Sequence, residues 1–521
     1  MSETRYKLHP ISALINFIKG LKELIIPFLV IFGVNLFRDG GVSSMFSNGW
    51  QGLIPLIIGT VVLLFILITG IIKWKRFVYW FEDGELRIEY GLFVKKKRYI
   101  PFDRIQSLNY TEGIFHRPLG LVKVKVETAG SGKVGEAEAE LTAISREDAD
   151  RIEQRMEEAK RGIRKVEGIE SETETEMEFG APQKAAEVIE KKPLRTNYRM
   201  MIKELLVLAT TSGGIGVVLS AAAVFLSQFS ELIPYNAIYE EVMIFLRFGY
   251  LIVALTIFIG LLAAWVISVV LAILANYQFT IQTDNDHIYL TRGLLEKKKV
   301  SVPFKRVQGI KISQNPLREW FGYATVTVES AGGSIGDKDE KIKLFPLAKK
   351  KEIVPVLMEL FPDMEWQPEM VKAPKRSVHF FYRLDFIWMI PVVAPLSYFF
   401  YPYGLLSLLI LPVIIILAVW QHRTVGYSLA EKQLTMEFRG ISKHTFFMMK
   451  KRIQAVEISQ SYFQRRKGLA SAQATIKSGM LGATARVEHI EHEDAIRILA
   501  WYEPSNQKVS ENKKSQPELS G

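Results

Sequence analysis

The chain has 521 residues, 49% of them hydrophobic, no cysteine and a formal net charge of +11. Without cysteine there are no disulfides, thiolate metal sites or cysteine nucleophiles, which fits folding in a reducing compartment. The length allows several domains, and the positive balance fits a nucleic-acid binder or a basic membrane protein, so the position of the charge has to decide.

Residues 1–20 form a polar to mildly amphipathic N-terminal segment. Leu21 to Phe37 is apolar apart from Lys22 and Glu23, and Gly52 to Ile72 runs 21 residues without a charge. At ~1.5 Å per residue such stretches cross a ~30 Å hydrocarbon core, giving a first transmembrane pair over 21–72. The first span starts too far in, and lacks a small-residue cleavage site, to read as a removed signal peptide. Residues 73–160 then read as strands. Leu86-Arg-Ile-Glu-Tyr90, Val122-Lys-Val-Lys-Val126 and Glu136-Ala-Glu-Ala-Glu-Leu141 alternate with period two, the mark of strands with one buried face. Ser145-Arg-Glu-Asp148 is a capping box that opens a helix with Ala149, Ile152 and Met156 on one side.

The tract EGIESETETEME from Glu167 lies in a segment, 161–203, that reads as a solvated acidic linker. A second transmembrane pair is expected over 204–276 and a second strand-rich unit over 277–362. After a linker (363–383) comes a third pair (384–420), turned tightly at Pro402-Tyr-Gly404, a third unit (421–503) and a polar tail (504–521). The small-residue stretch around Gly216 and Ser220, and the prolines in the spans, read as helix packing.

The units repeat one another. Gly91, Lys95 to Lys97, Pro101, Phe102, Arg104, Gln106, Gly120 and Glu127 return as Gly293, Lys297 to Lys299, Pro303, Phe304, Arg306, Gln308, Gly322 and Glu329, each displaced by 202 residues. A weaker third copy keeps Gly440, Lys451, Arg452, Gln454, Gly468 and Gly479. The loops inside the span pairs hold Arg38 and Arg247 as their basic residues, against Asp39, Glu231, Glu240 and Glu241. Nearly all of the 66 Lys and Arg lie on the other side, with all three units and both termini. The positive-inside rule makes that side cytoplasmic, so the charge belongs to a multi-pass protein of the cytoplasmic membrane and no nucleic-acid partner is expected.

A span pair followed by a unit carrying G…KKK…P-F-x-R-[IV]-Q…G…E-x-A-G resembles the bacterial membrane-flanked, pleckstrin-homology-like family. Repeats one and two match it well. Repeat three departs, with Met449-Lys450 for Pro-Phe and the single Lys443 for three lysines. The resemblance implies a membrane protein with six transmembrane helices in three pairs. Each pair would be followed by a cytoplasmic β unit of about seven strands in two sheets plus a C-terminal helix. It implies no catalytic residues and no cofactor, and an association with the bacterial envelope and oligomeric assembly.

Candidate contacts follow. Lys95, Lys96, Lys97 and Arg98, with Lys297, Lys298 and Lys299, sit soon after a span; near an anionic leaflet each is worth ~1 kcal/mol. The alternative is a solvated hairpin edge whose lysines discourage stray strand pairing. Arg104 and Gln106, Arg306 and Gln308, and Arg452 and Gln454 would share one strand face, as a polar surface or as structural hydrogen-bonding groups. With Gly91, Pro101, Phe102, Gly120, Gly293, Pro303, Phe304, Gly322 and Gly468 they form a signature read mainly as structural. Gly130-Ser-Gly132-Lys-Val-Gly135 matches G-x-G-x-x-G but precedes a strand, so a hairpin turn is the better reading than a dinucleotide site. His489 and His492, at i and i+3, could approach one metal on a helix, although an acidic helix start explains them as well, and no metal is expected. The expectation is a non-enzymatic scaffold, binding membrane lipids and itself or related membrane-flanked proteins, in envelope maintenance or defence. The alternative, a transporter or lipid handler gated by the units, would favour ionisable groups at mid-membrane, which the second, third and fourth spans lack.

Overall fold

The computed structural model describes residues 5–21, 50–128, 138–170, 194–212, 250–331, 341–479 and 482–503, with a few positions between 216 and 223. Each repeat supplies four strands, then three, then a helix. Repeat one has β1 (Tyr6–Lys7), β2 (Val78–Glu82), β3 (Glu85–Tyr90), β4 (Lys96–Pro101), β5 (Ile105–Glu112), β6 (Leu121–Thr128) and β7 (Ala139–Ser145). Repeat two has β8 (Arg195–Arg199), β9 (Thr280–Thr283), β10 (His287–Arg292), β11 (Lys297–Pro303), β12 (Val307–Gln314), β13 (Tyr323–Ser330) and β14 (Ile342–Lys349). Repeat three has β15 (Val371–Lys372), β16 (Gly426–Leu429), β17 (Gln433–Arg439), β18 (Lys443–Met449), β19 (Ile453–Ser459), β20 (Leu469–Ile476) and β21 (Ala483–Glu491). The closing helices are Arg146–Glu170, Lys350–Leu360 and His492–Tyr502. The first begins at the expected cap, Ser145 Oγ accepting from the Asp148 N–H at 3.1 Å, and continues into the acidic tract; residues 171–193 lie outside the described residues.

The order differs from the expected one in one respect. β1, β8 and β15 precede the described membrane-length helices of their units, so those helices are inserted between the first and second strands. β1 pairs with β2 and β15 with β16 over two residues each, and β8 pairs with β9. The expected N-terminal segment and both linkers thus each contain a strand. The two-residue pairings of β1 and β15 show no alternation, and β8 reads Arg-Thr-Asn-Tyr-Arg with no apolar alternation either, which is why the pattern does not reveal them.

Four described helices are long and apolar enough to cross a bilayer: Ile57–Arg76, Ala254–Asn276, Lys375–Phe399 and Tyr403–Thr424. Ile58, Phe65, Phe258 and Ile416 stand exposed along them, an apolar surface that hydrocarbon covers and water would not. The expected span 21–37 lies almost wholly outside the described residues, and that at 204–226 starts as the helix Ile202–Thr211 before leaving them. In the third pair the first helix starts at Val378, earlier than expected, because Phe380 and Phe381 pack their rings on His489 of the β unit at 5.3 and 4.9 Å.

The chain divides into two compact units, Met1–Pro303 and Phe304–Gly521, the boundary falling inside repeat two. In the first, Tyr79, Leu86, Ile88 and Ile100 meet Leu108, Val124, Leu141, Ile152 and Met156 in one buried cluster, so both strand groups of repeat one and its helix share a core. In the second, Tyr427, Leu434 and Met436 pack with Ala472, Val487, Ile490 and Ile498 in the same way. Among the described residues four sheets result, ordered β1-β2-β3-β4, β7-β6-β5-β11-β10-β9-β8, β14-β13-β12-β18-β17-β16-β15 and β19-β20-β21. Each seven-stranded sheet therefore joins the last three strands of one repeat to the first four of the next.

Candidate functional site

The recurring Gly91 and Gly293 begin the hairpin between the third and fourth strands of their units. Their φ values are 134° and 105°, and a Cβ there would lie 1.9 and 2.0 Å from the carbonyl oxygens of Val94 and Glu296. Only glycine fits this turn. The turn folds back onto the end of the span helix. Gly293 N–H donates to Tyr277 O and Leu294 N–H to Leu274 O, both at 2.9 Å, and Arg76, the last helical residue of its span, donates to Leu92 O. In repeat three Gln421 Nε2 donates to Gly440 O at 3.2 Å, and the Arg439 guanidinium lies 3.9 Å over the Trp420 ring. Each hairpin tip is thus held at a span end.

The tips are apolar: Phe93 is 84% exposed, Val94 70% and Ile441 70%, with Leu294 and Leu295 also exposed. A second row comes from the turns after β5, β12 and β19. It presents Ile114 and Phe115, Trp320 and Phe321, and Tyr462 and Phe463. Arg117 of the first of these turns donates to Leu294 O at 2.6 Å, and Arg383 on a span helix lies 4.1 Å over the Phe463 ring, so both rows border the span ends. Exposed aromatic and aliphatic side chains beside span termini suit the headgroup layer, where amphipathic rings concentrate. The pattern does not reveal these tips; the signal was Phe93-Val94 standing between Gly91 and Lys95.

The candidate lysines fall into two environments. Lys95 and Lys97 pair with the buried Glu89 at 2.6 and 3.2 Å, and their hydrogen bonds hold its carboxyl below the usual range. Lys96 and Lys97 lie on β4 and Lys95 just before it; among the described residues β4 carries a strand on one side only. Lys297, Lys298 and Lys299 lie instead on an interior strand, opposite Glu112, Thr111 and Tyr110 of β5. Lys299 Nζ is 5.5 Å from the Tyr110 ring and 4.7 Å from that of Tyr289. The edge reading therefore describes the first tract and not the second. Burial and the nearby Glu153 and Asp150 carboxylates push the Tyr110 hydroxyl well up, so it stays protonated.

Two clefts flank this seam. One, about 260 Å³, sets Arg146, Lys297 and Lys299 against Glu112, Asp150 and Glu153, a balance that leaves it no net pull on an anion. The other, about 370 Å³, is lined by Arg199, Arg292 and Lys297 with Tyr277 and Gly293, and by no carboxylate. It opens beside the span end, where an anionic headgroup would lie, and is the better small-ligand site.

The Arg and Gln of the signature do not share a strand face. Arg104, Arg306 and Arg452 each end a short 3-10 turn, and the pairing register shifts across Gln106, Gln308 and Gln454 in all three repeats. The glutamines are bulge residues; Gln308 Nε2 donates to Arg306 O at 3.1 Å. Gly120, Gly322 and Gly468 have φ of 64°, 72° and 65°, the left-handed position that ends the turn before the next strand. Glu127 accepts from Ser107 Oγ and Asn109 Nδ2 at 2.8 and 2.9 Å, and Asn109 Oδ1 accepts from the Ser301 N–H across the seam. His489 is on a strand while His492 opens a helix, so helical spacing does not relate them. Among the described residues no group of three His, Asp or Glu could hold a metal ion. The Gly130 to Gly135 loop lies outside the described residues.

Comparison with known proteins agrees with this arrangement. The bacterial PH domain family matches residues 27–160, 222–359 and 386–506. The chain is 35% identical over 508 residues, 96% of its length and 98% of the other's, to the UPF0699 transmembrane protein YdbT of Bacillus subtilis. With three strand units of one plan, each interrupted by apolar helices, and these matches over most of its length, the chain belongs to the bacterial PH domain family.

Proposed function

We propose that the protein is a non-enzymatic scaffold with six spans, presenting its three PH-like units on the cytoplasmic side of the cell membrane. Self-assembly, or assembly with related membrane proteins, is its work, in envelope maintenance or defence. The observation that carries this reading is the fusion of consecutive repeats into continuous sheets. The units are built to join others of their kind, edge to edge. Tethering in one membrane raises effective concentration, so modest contacts suffice for assembly. The apolar tips and the basic cleft of Arg199, Arg292 and Lys297 support a subsidiary role for anionic lipid in seating the units.

The test is co-purification. Two copies with different tags, expressed together and solubilised in mild detergent, are expected to recover each other. Monomeric elution, with no protein partner recovered after in-cell crosslinking, would remove the scaffold reading. Because the chain has no cysteine, single introduced cysteines report orientation. Lys96→Cys should be shielded from an impermeant thiol reagent in intact cells and labelled in inverted vesicles.

A further inference from the structure

The two internal seams are made alike. In the first, Lys297 lies opposite Glu112 and Lys299 opposite Tyr110. In the second, Lys443 lies opposite Gln314 and Thr445 opposite Ile312. Repeat two is displaced by 202 residues from repeat one, and repeat three by 146 from repeat two at Gln308 and Gln454, so these are the same pairs by position. The fifth strand of one repeat joins the fourth strand of the next in a fixed register. Two such strands are left over: β4, whose counterparts are β11 and β18, and β19, whose counterparts are β5 and β12. Among the described residues each ends its sheet.

Both carry the marks of an unmade seam. Tyr99 is 53% exposed, whereas its counterparts Ser301 and Phe447 are 6% and 2% exposed. Along β19 Ala455, Glu457 and Ser459 are exposed and Val456 and Ile458 only half-buried; in β12 Gly309, Ile310 and Ile312 are buried. Lysines do not forbid pairing here, because β11 carries the same three and is paired.

We infer that β4 of one copy pairs antiparallel with β19 of a second, extending the internal seam into a head-to-tail assembly of this chain. The proposal rests on the scaffold reading and names its surface. The shared register sets Lys95 opposite Gln460, Lys97 opposite Ile458, Tyr99 opposite Val456 and Arg98 opposite Glu457. The last pair is charge-complementary, and directly opposed residues share a face. Bare strand edges are templates for such pairing. β4 begins at a hairpin held at one span end, and Phe463 in the turn after β19 lies under Arg383 of another span helix, so each edge has one end beside a span. The contact is heterologous, and its repetition closes a ring or continues as a filament.

The test uses the cysteine-free background. One tagged copy carries Lys96→Cys and a differently tagged copy carries Ser459→Cys; both sites are exposed. Their counterparts in the second seam, His444 and Ser313, touch at 2.9 Å. On mild oxidation of full-length protein in membranes, the mixed pair is expected to form an inter-copy disulfide, while two Lys96→Cys copies or two Ser459→Cys copies do not. Glu457→Lys, exposed and outside the core, should lower the mixed disulfide about threefold by setting like charges opposite. If tagged copies co-purify but the mixed pair does not crosslink, or only like pairs do, the head-to-tail seam is wrong and the scaffold reading stands. If copies neither co-purify nor crosslink, both fail.

Discussion

The tracts Lys95–Lys97 and Lys297–Lys299 are the same three residues in the same hairpin, and they live differently. The second is covered by β5 and has an ammonium over two tyrosine rings; the first faces outward and rests on Glu89. Local sequence therefore specifies the hairpin and its attachment to the span, while the neighbouring strand decides what the lysines do. Recurrence of a motif across repeats does not imply recurrence of its surroundings.

Substitutions can separate what the two hairpins share from what divides them. Gly91→Ala and Gly293→Ala should cost alike, about 3 kcal/mol, since both need a positive φ and both would drive a Cβ into a carbonyl oxygen. Hydrogen exchange of the hairpin amides measures this, and a large difference between the two would mean that the seam, not the turn, sets the need. Next in size is the seam. At Gly309 a Cβ would come within 2.7 Å of Ile476 Cδ1 and 3.0 Å of Phe447 O. Gly309→Val should destabilise by about 2 kcal/mol in thermal unfolding. Ala455→Val, at the matching exposed position on β19, should stay within about 0.5 kcal/mol.

Acid should divide the seams as well. His444 stands in the second seam where Lys298 stands in the first. Burial, with Lys311, Lys341 and Arg439 nearby, lowers it from 6.5 to about 4; burial beside Arg486 lowers His489 likewise. A histidine depressed in the folded state binds more protons unfolded. Its contribution is whole above pH 6.5 and falls away as pH drops toward 4, by no more than about 2 kcal/mol each after solvent screening. Protection factors of β12 and β18 amides should therefore fall between pH 6.5 and 4.5 more than those of β5 and β11, and His444→Gln should flatten the difference. The smallest effect is at the lysines themselves. Lys299→Ser should cost about 1 kcal/mol and Lys97→Ser under about 0.5, by chemical unfolding, because the ring contacts are absent from the first tract.

Much of the fold was open to reading. Period-two alternation gave the strands around Val124 and Leu86, the capping box gave the helix after Ser145, and the repeated glycines proved to be turn positions. The rest escaped for identifiable reasons. Alternation tells which face of a strand is buried but not which strand lies beside it, so the pairing of β5 with a strand nearly two hundred residues later left no trace. Arg104 and Gln106 looked like neighbours on one face because a bulge cannot be seen in spacing. Of the candidate site, the basic tracts were visible as charge, but the apolar tips gained meaning only when the structure set them against the span ends.

The interrupted unit has a consequence for synthesis. Tyr6–Lys7 leaves the ribosome first, yet its partner Val78–Tyr79 follows only after the intervening apolar segment, and Val371–Lys372 likewise waits for Gly426–Tyr427. Each unit can close only once that segment has been made. In this protein closure of the β fold is thus a late event in synthesis, and a truncated version starting after the apolar segment would lack its opening strand from the outset.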